Sequence, residues 1–134
     1  MRPSVVICGS YHADPPGLRR IFQELETTGC RILSPISIDF VDTTQEVVRA
    51  NYEDGFGIDE LERYHLRALQ SADFIWLHAP GGHIGLSGLF ELGFATAIQK
   101  PVYCLVSPED AMLATQVRIV PSAFAALQDL RLIA

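Results

Sequence analysis

The stretch from Asp73 to Ala95 constrains this chain more than any other, because it joins three signals that together dictate a β–α unit. Asp73 to Ala79 is a mostly apolar run of strand length, Pro80 to Gly85 is a glycine-rich turn, and a helix is predicted from Leu86 to Gln99. A strand apolar on both faces belongs in the middle of a parallel sheet. One residue disturbs the pattern. Glu91 is the only acid between Asp73 and Glu109, and it falls in the second turn of that helix among Leu89, Phe90, Leu92 and Phe94. An ionisable group in such surroundings either has a partner or has a function, since burying a bare carboxylate is costly.

The remaining segments extend the same alternation. Ser4 to Gly9 reads as a second buried strand, followed by the loop Gly9 to Gly17 and a helix from about Gly17 to Thr28 with Leu18, Ile21, Phe22 and Leu25 at helical spacing. Arg31 to Ser34 reads as a strand that Pro35 ends. Ile58 to Ser71 reads as a helix whose stripe of Ile58, Leu61, His65, Ala68, Leu69 and Ala72 faces the core, so His65 is core-facing. Pro101 to Val106 is the next strand, Pro108 to Thr115 a short helix, Val117 to Val120 a short strand and Ala123 to Ile133 a closing helix. Strands alternating with helices over short connections imply one α/β domain over residues 1–134, a flavodoxin-like doubly wound sheet of about five mainly parallel strands in three α/β/α layers. In the strand order 2-1-3-4-5 a ligand crevice lies beyond the carboxyl ends of strands 1 and 3. The loops there are Gly9 to Gly17 and Pro80 to Gly85, the two richest in glycine and proline.

Charge and cysteine content narrow the function classes. The net charge is -6 and Lys100 is the sole lysine among ten basic residues, so no basic patch for nucleic acid can be assembled. Cys8, Cys30 and Cys104 are odd in number and widely spaced, which argues for free thiols rather than a disulfide or zinc framework. With no leader-like start and no apolar run of membrane-spanning length, a cytoplasmic protein with no membrane partner is expected. Between Pro35 and Gly57 there is no clear periodicity, and eight of the sixteen acids lie between Asp39 and Glu62. That segment is either a solvated insertion or a lid, with a short helix around Thr44 to Asn51.

The chemistry-bearing residues gather on the expected crevice. Gly81, Gly82 and Gly85 allow close backbone approach and precede a helix whose free N–H groups favour an anion. Ser87 and Glu91 are four residues apart and project from one face of that helix. A carboxylate at the floor of a crevice suits attack on a sugar anomeric carbon, or support of an oxocarbenium-like transition state. The alternative is a structural acid bonded to backbone groups. His65 is either a satisfied core histidine or an acid, base or orienting group in the same crevice. Tyr11, His12 and Asp14 can reach it from the first loop. His65, His78 and His83 lack the helical spacing of a zinc pair, so no metal is expected.

Three pieces of sequence carry a family resemblance: Val6-Ile-Cys-Gly-Ser10, the Ala72-Asp73 that opens the third strand, and Gly85-Leu-Ser-Gly-Leu-Phe-Glu91-Leu-Gly-Phe-Ala95 before Lys100-Pro-Val. Together they resemble the nucleoside 2-deoxyribosyltransferase-like superfamily over roughly Val5 to Val106. The resemblance implies a flavodoxin-like fold and cleavage of the N-glycosidic bond of a nucleoside or its 5′-monophosphate, with water or a second base taking over the sugar. It implies Glu91 as the nucleophile, and Ser87 and the Gly9–Ser10 loop around sugar or 5′-phosphate oxygens; Tyr11, Gly82 and Gly85 join them as substrate-binding candidates from their place on the crevice loops. It implies no cofactor, and a homodimer or higher homo-oligomer. Two departures stand out. The family aspartate that helps protonate the leaving base lies eight residues before the strand-opening aspartate, and here that position is His65. Past Val106 no segment resembles the residues that complete a neighbour's site in the oligomeric transferases. The turn Pro80-Gly-Gly-His-Ile-Gly85 also resembles, less closely, that of the cytokinin-activating phosphoribohydrolases. A nucleotide-binding sensor without catalysis is the rival expectation on the same scaffold.

Overall fold

Residues 2–35, 38 and 57–133 are described in this computed structural model, and the lid and the short helix expected around Thr44 to Asn51 lie outside the described residues. In chain order the elements are β1 (Ser4–Gly9), α1 (Pro15–Thr27), β2 (Arg31–Ser34), α2 (Ile58–Ser71), β3 (Phe74–His78), α3 (Leu86–Ala97), β4 (Val102–Cys104), α4 (Ala111–Ala114), β5 (Arg118–Ile119) and α5 (Ala123–Ile133). A 3₁₀ turn, Pro80–Gly82, sits between β3 and α3. The strands form one sheet in the order β2-β1-β3-β4-β5, and each neighbouring pair is parallel. This is the doubly wound α/β/α architecture and the strand order that the alternation predicts.

Alternating side chains along the central strands build two cores. Val5 and Ile7 of β1, Phe74 and Trp76 of β3 and Tyr103 of β4 point to one face, where Leu18, Ile21, Phe22 and Leu25 of α1 and Ala123, Ala126 and Leu127 of α5 cover them. Val6, Cys8, Ile75, Leu77, Val102 and Cys104 point to the other, covered by Leu69 of α2 and by Leu92 and Ala95 of α3. β1 and β3 are apolar throughout because both of their faces are roofed by helices. All three cysteines are free thiols buried in these layers.

Several boundaries differ from the sequence-based expectation. Helix α1 begins at Pro15, not Gly17, because Asp14 caps it: its Oδ1 accepts from the Gly17 N–H at 3.2 Å, and the two prolines occupy first-turn positions that need no donor. β4 and β5 are shorter than predicted because their pairing is confined to Tyr103 with Arg118 and Cys104 with Ile119. Helix α3 stops at Ala97, where the Lys100 N–H closes on the Ala95 carbonyl at 3.0 Å. Ile58, expected in the core, is 57% exposed in the first turn of α2.

The amino and carboxyl ends of the central strands are built differently. At the amino end, Asp73 Oδ2 accepts from the Ser4 N–H at 2.8 Å and from the Ser4 hydroxyl at 3.1 Å, and the Lys100 ammonium donates to the Ala72 carbonyl at 2.6 Å. At the carboxyl end, Gly9 of β1 stands beside His78 of β3, and the chain leaves the sheet in opposite directions on either side. A crevice opens there.

Candidate active site

The backbone at the crevice is held closer than side chains would allow. Gly9 has φ 113°, and a Cβ on it would stand 2.2 Å from the His78 carbonyl oxygen. Gly88, in the first turn of α3, would place a Cβ 3.0 Å from the Gly9 Cα and 3.1 Å from Ile84 Cγ2. Absence of side chains at these two points lets the N-terminal turn of α3 press against the end of β1. Glu91, one turn further along α3, is thereby carried to the floor of the crevice.

The cleft has a volume of about 520 Å³, within the range of small-molecule pockets of about 300–1,000 Å³. Three walls enclose it. Gly9 ends β1 and Ser10, Tyr11 and His12 follow it; Gly85, Leu86, Ser87, Gly88, Phe90 and Glu91 come from the start of α3; Ile58, Leu61, Glu62 and His65 come from α2, with Ser34 at the end of β2 and Pro35 after it. The α3 wall has no side-chain cap at Gly85, so the first N–H groups of the helix are presented to the cleft without one. The α2 wall sets apolar Ile58 and Leu61 beside Glu62 and His65.

Glu91 and His65 are each 7% exposed and lie against one another, with His65 Nε2 at 3.4 Å from Glu91 Oε1. The ring is clamped on its other side by Ser34, whose hydroxyl stands 2.7 Å from Nδ1. With the proton on Nε2, Ser34 donates to Nδ1 and the imidazole faces Glu91 as a donor; the imidazolium would donate at both nitrogens. Cys8 Sγ lies 3.6 Å from Nε2, and Tyr11 packs edge-on against the imidazole with ring centroids 6.5 Å apart. Tyr11 is itself anchored by its hydroxyl, which donates to the Ile7 carbonyl.

Cys8, His65 and Glu91 form, among the described residues, a group whose possible ligand atoms all lie within 4.8 Å of one another. The donor set is one a borderline-soft cation accepts, but the thiol is held in its neutral form. Burial pushes Cys8 up well beyond the ordinary thiol range, and the charges of Glu91 and Glu62 push in the same direction. The contacts of this trio are those of a hydrogen-bonded wall behind the cleft.

Glu62 is the residue that sequence reasoning missed. It is three positions before His65, on the same side of α2, and it lines the cleft together with Glu91. Burial raises it to about 7, the proximity of Glu91 adds to the rise, and His65 opposes it. Its Oε1 is buried and receives no hydrogen bond. The i, i+3 relation to a core-facing histidine was the available signal; the acidity of the surrounding segment hid it, because the same run continues as exposed Asp59 and Glu60. Ser34 was also missed, although its place at the carboxyl end of β2 beside Pro35 puts it at the crevice end of the sheet.

Gly9, Ser10, Tyr11, Gly85, Ser87, His65 and Glu91, singled out from sequence, all line this one cleft. Gly82 lies elsewhere. It packs against the loop after β4, where a Cβ would meet the Ser107 carbonyl at 2.7 Å, and its own carbonyl accepts from the Glu109 N–H at 3.0 Å. The glycines of that turn serve two purposes, with Gly85 at the cleft and Gly82 seating the β3–α3 connection on the next loop. Asp14 is likewise turned away, capping α1 and standing 3.7 Å from His78 Nε2.

No family model matches the chain, and no curated protein matches it in sequence. Among solved structures the chain is similar to the CMP N-glycosidase BcmB of Clostridium botulinum, with a TM-score of 0.58 and 15% identity over 98% of this chain and 99% of that one. The two share a fold from end to end, the fold that the family resemblance implies. No helix among the described residues is long and apolar enough to cross a membrane.

Proposed function

We propose that this protein cleaves the N-glycosidic bond of a nucleoside or nucleoside 5′-monophosphate, with Glu91 as the nucleophile. One observation carries the reading: the single acid of α3 is buried at the floor of a cleft of ligand size, at the carboxyl ends of β1 and β3, with its carboxylate beside His65. A carboxylate so placed can attack the anomeric carbon from below while the base departs above. The apolar α2 wall (Ile58, Leu61) suits a base, and the start of α3 with Ser87 suits sugar or phosphate oxygens. His65 acts through Glu91: gripped by Ser34, it holds the carboxylate in one orientation. The similarity to a CMP N-glycosidase and the sequence motif around Glu91 both support this class of reaction. Water is the acceptor in hydrolysis and a second base in transfer; a homo-oligomer working in the cytoplasm is part of the same reading.

The test is incubation of the purified protein with a panel of nucleosides and 5′-monophosphates, CMP included, with base release followed by chromatography. Release is expected for at least one member, and Glu91→Gln should abolish it. Saturable thermal stabilisation by a nucleotide with no base released would instead identify a binding module. Turnover undiminished in Glu91→Gln would remove the nucleophile assignment.

A further inference from the structure

Cleavage of a nucleoside needs more than a nucleophile. The C1′–N bond breaks with its electron pair moving to the base, and most bases leave well only if they receive a proton as they go. At the position where the resembling family carries its acid, this chain has His65. That imidazole sits in the wall with both ring nitrogens engaged, Nδ1 with Ser34 at 2.7 Å and Nε2 towards Glu91 and Cys8. It is placed to orient Glu91. A carboxyl group one turn earlier on the same helix stands where a proton donor is needed.

Resting on the glycosidase reading, we propose that Glu62 is the general acid of this site and that it shares a single proton with the nucleophile Glu91. Glu62 lines the cleft on the α2 wall beside Leu61 and Ile58, where the base would lie, while Glu91 is below the sugar. Both carboxyl groups line the one cleft, and the charge of Glu91 acts on Glu62. Two carboxylates have only lone pairs to offer, so they can hydrogen-bond to one another only when one of them holds a proton. The groups around the pair differ. Glu91 Oε1 has His65 Nε2 at 3.4 Å. Glu62 has a buried Oε1 with no donor, a place that an ionised carboxylate tolerates poorly. Among the described residues, the charged and titratable groups around the pair are His65 on α2 and Cys8 on β1, with Tyr11 and His12 of the loop after β1 on the same cleft. His65 lies directly against Glu91. Burial and the Glu91 charge then hold Glu62 up near neutrality, in the range a proton donor at physiological pH requires.

The steps balance without a cofactor. A Glu91 carboxylate oxygen forms a bond to C1′ while the C1′–N bond breaks, and the Glu62 proton passes to the departing base nitrogen. A glycosyl ester on Glu91 and an ionised Glu62 result. Water then attacks C1′, its proton goes to Glu62, and the C1′–O bond to Glu91 breaks. Free sugar is released and the pair returns to one proton on two carboxyls.

The experiment compares two leaving groups. One substrate is the nucleoside or nucleotide released fastest in the panel; the other is a 4-nitrophenyl riboside with the same 5′ group, whose aryloxide departs without needing a proton. Glu62→Gln keeps the shape and removes the acid. It is expected to lower kcat on the natural base by about 100-fold or more and on the aryl riboside by no more than about 5-fold. Glu91→Gln should abolish both. The wild-type rate on the natural base should fall as pH rises past about 7, where Glu62 loses its proton, and this alkaline limb should vanish for Glu62→Gln. Equal losses on both substrates, or an alkaline limb unmoved by Glu62→Gln, overturn the acid role and leave the nucleophile standing. A panel with no turnover by the wild-type protein sinks the glycosidase reading itself. Proton sharing is read independently of turnover from ¹³C shifts of labelled glutamate carboxyls. One carboxyl should titrate near neutral pH in the wild-type protein and shift to lower pH in Glu91→Gln, where burial remains but the neighbouring charge is gone. Ordinary titration of every glutamate in the wild-type protein overturns the shared proton.

Discussion

The two ends of the β1–β3 pair each hold a conspicuous acid, and they use it in opposite ways. Asp73 at the amino end is surrounded by donors: the Ser4 N–H and hydroxyl both reach the same carboxylate oxygen. Glu91 at the carboxyl end is buried beside another carboxyl group, an imidazole and a thiol. An acid bonded this way ties the start of one strand to the next and leaves its other oxygen to solvent. An acid buried in a cleft beside other ionisable groups is the arrangement that candidate catalytic residues show. The contrast separates a residue that supports the fold from one proposed to carry the chemistry, although both belong to the stretch that makes the family resemblance.

Mutations at the two ends should therefore separate rate from stability. Replacing Glu91 by Gln is expected to have the largest effect, a rate loss on the order of a thousandfold or more, with thermal stability little changed because Gln keeps the shape and a hydrogen-bonding end. Steady-state kinetics and a melting curve on the same sample decide it; a collapse of stability would return Glu91 to a structural role. Next comes Gly88→Ala. Its Cβ would press on Gly9 and Ile84, so we expect about 1–3 kcal/mol of destabilisation in denaturant titration together with a loss of rate as Glu91 is displaced. Asp73→Ala should reverse the Glu91 pattern, removing about 1–3 kcal/mol of stability while kcat of the folded enzyme stays within about twofold. A large kcat effect there would erase the distinction between the two ends.

Smaller effects sharpen it. Ser34→Ala frees one side of the His65 ring and is expected to cost roughly tenfold in kcat and about 1 kcal/mol in stability, read by kinetics and denaturant titration. Finally, the carboxyl end should carry a pH signature. Glu62 is raised in the folded state from 4.5 to about 7, so its contribution to stability is complete below the unfolded value and is lost as pH climbs through the folded one. The melting temperature should decline between about pH 5 and 8 more steeply for the wild-type protein than for Glu62→Gln. An identical slope would place Glu62 in solvent.

The sheet was legible in the sequence because its strands are buried on both faces, and burial leaves a continuous apolar run that periodicity detects. The alternation of those runs with amphipathic helices gave the parallel topology, and the lone acid in α3 pointed to the crevice. The placement of Gly82 was not legible. Every glycine of a turn looks the same in a sequence, and only the packing of the β4–α4 loop distinguishes the one that seats the turn from the one at the cleft. Glu62 was hidden for a related reason. It stands at the end of an acidic run, and its neighbours Asp59 and Glu60 are exposed.

The sequence by itself determined the layers, the strand order and the burial of Glu91, since these follow from hydrophobic periodicity and chain connectivity along a single direction. Tertiary structure alone decided what Glu91 meets. His65 and Ser34 are brought to it from α2 and β2, and Glu62 from one turn earlier on α2, over chain separations that no local pattern encodes. The environment of a buried charge is set by groups converging from several elements through a few ångströms of low-dielectric space. That convergence turns an odd acid in an apolar helix into a candidate nucleophile with a proton donor beside it.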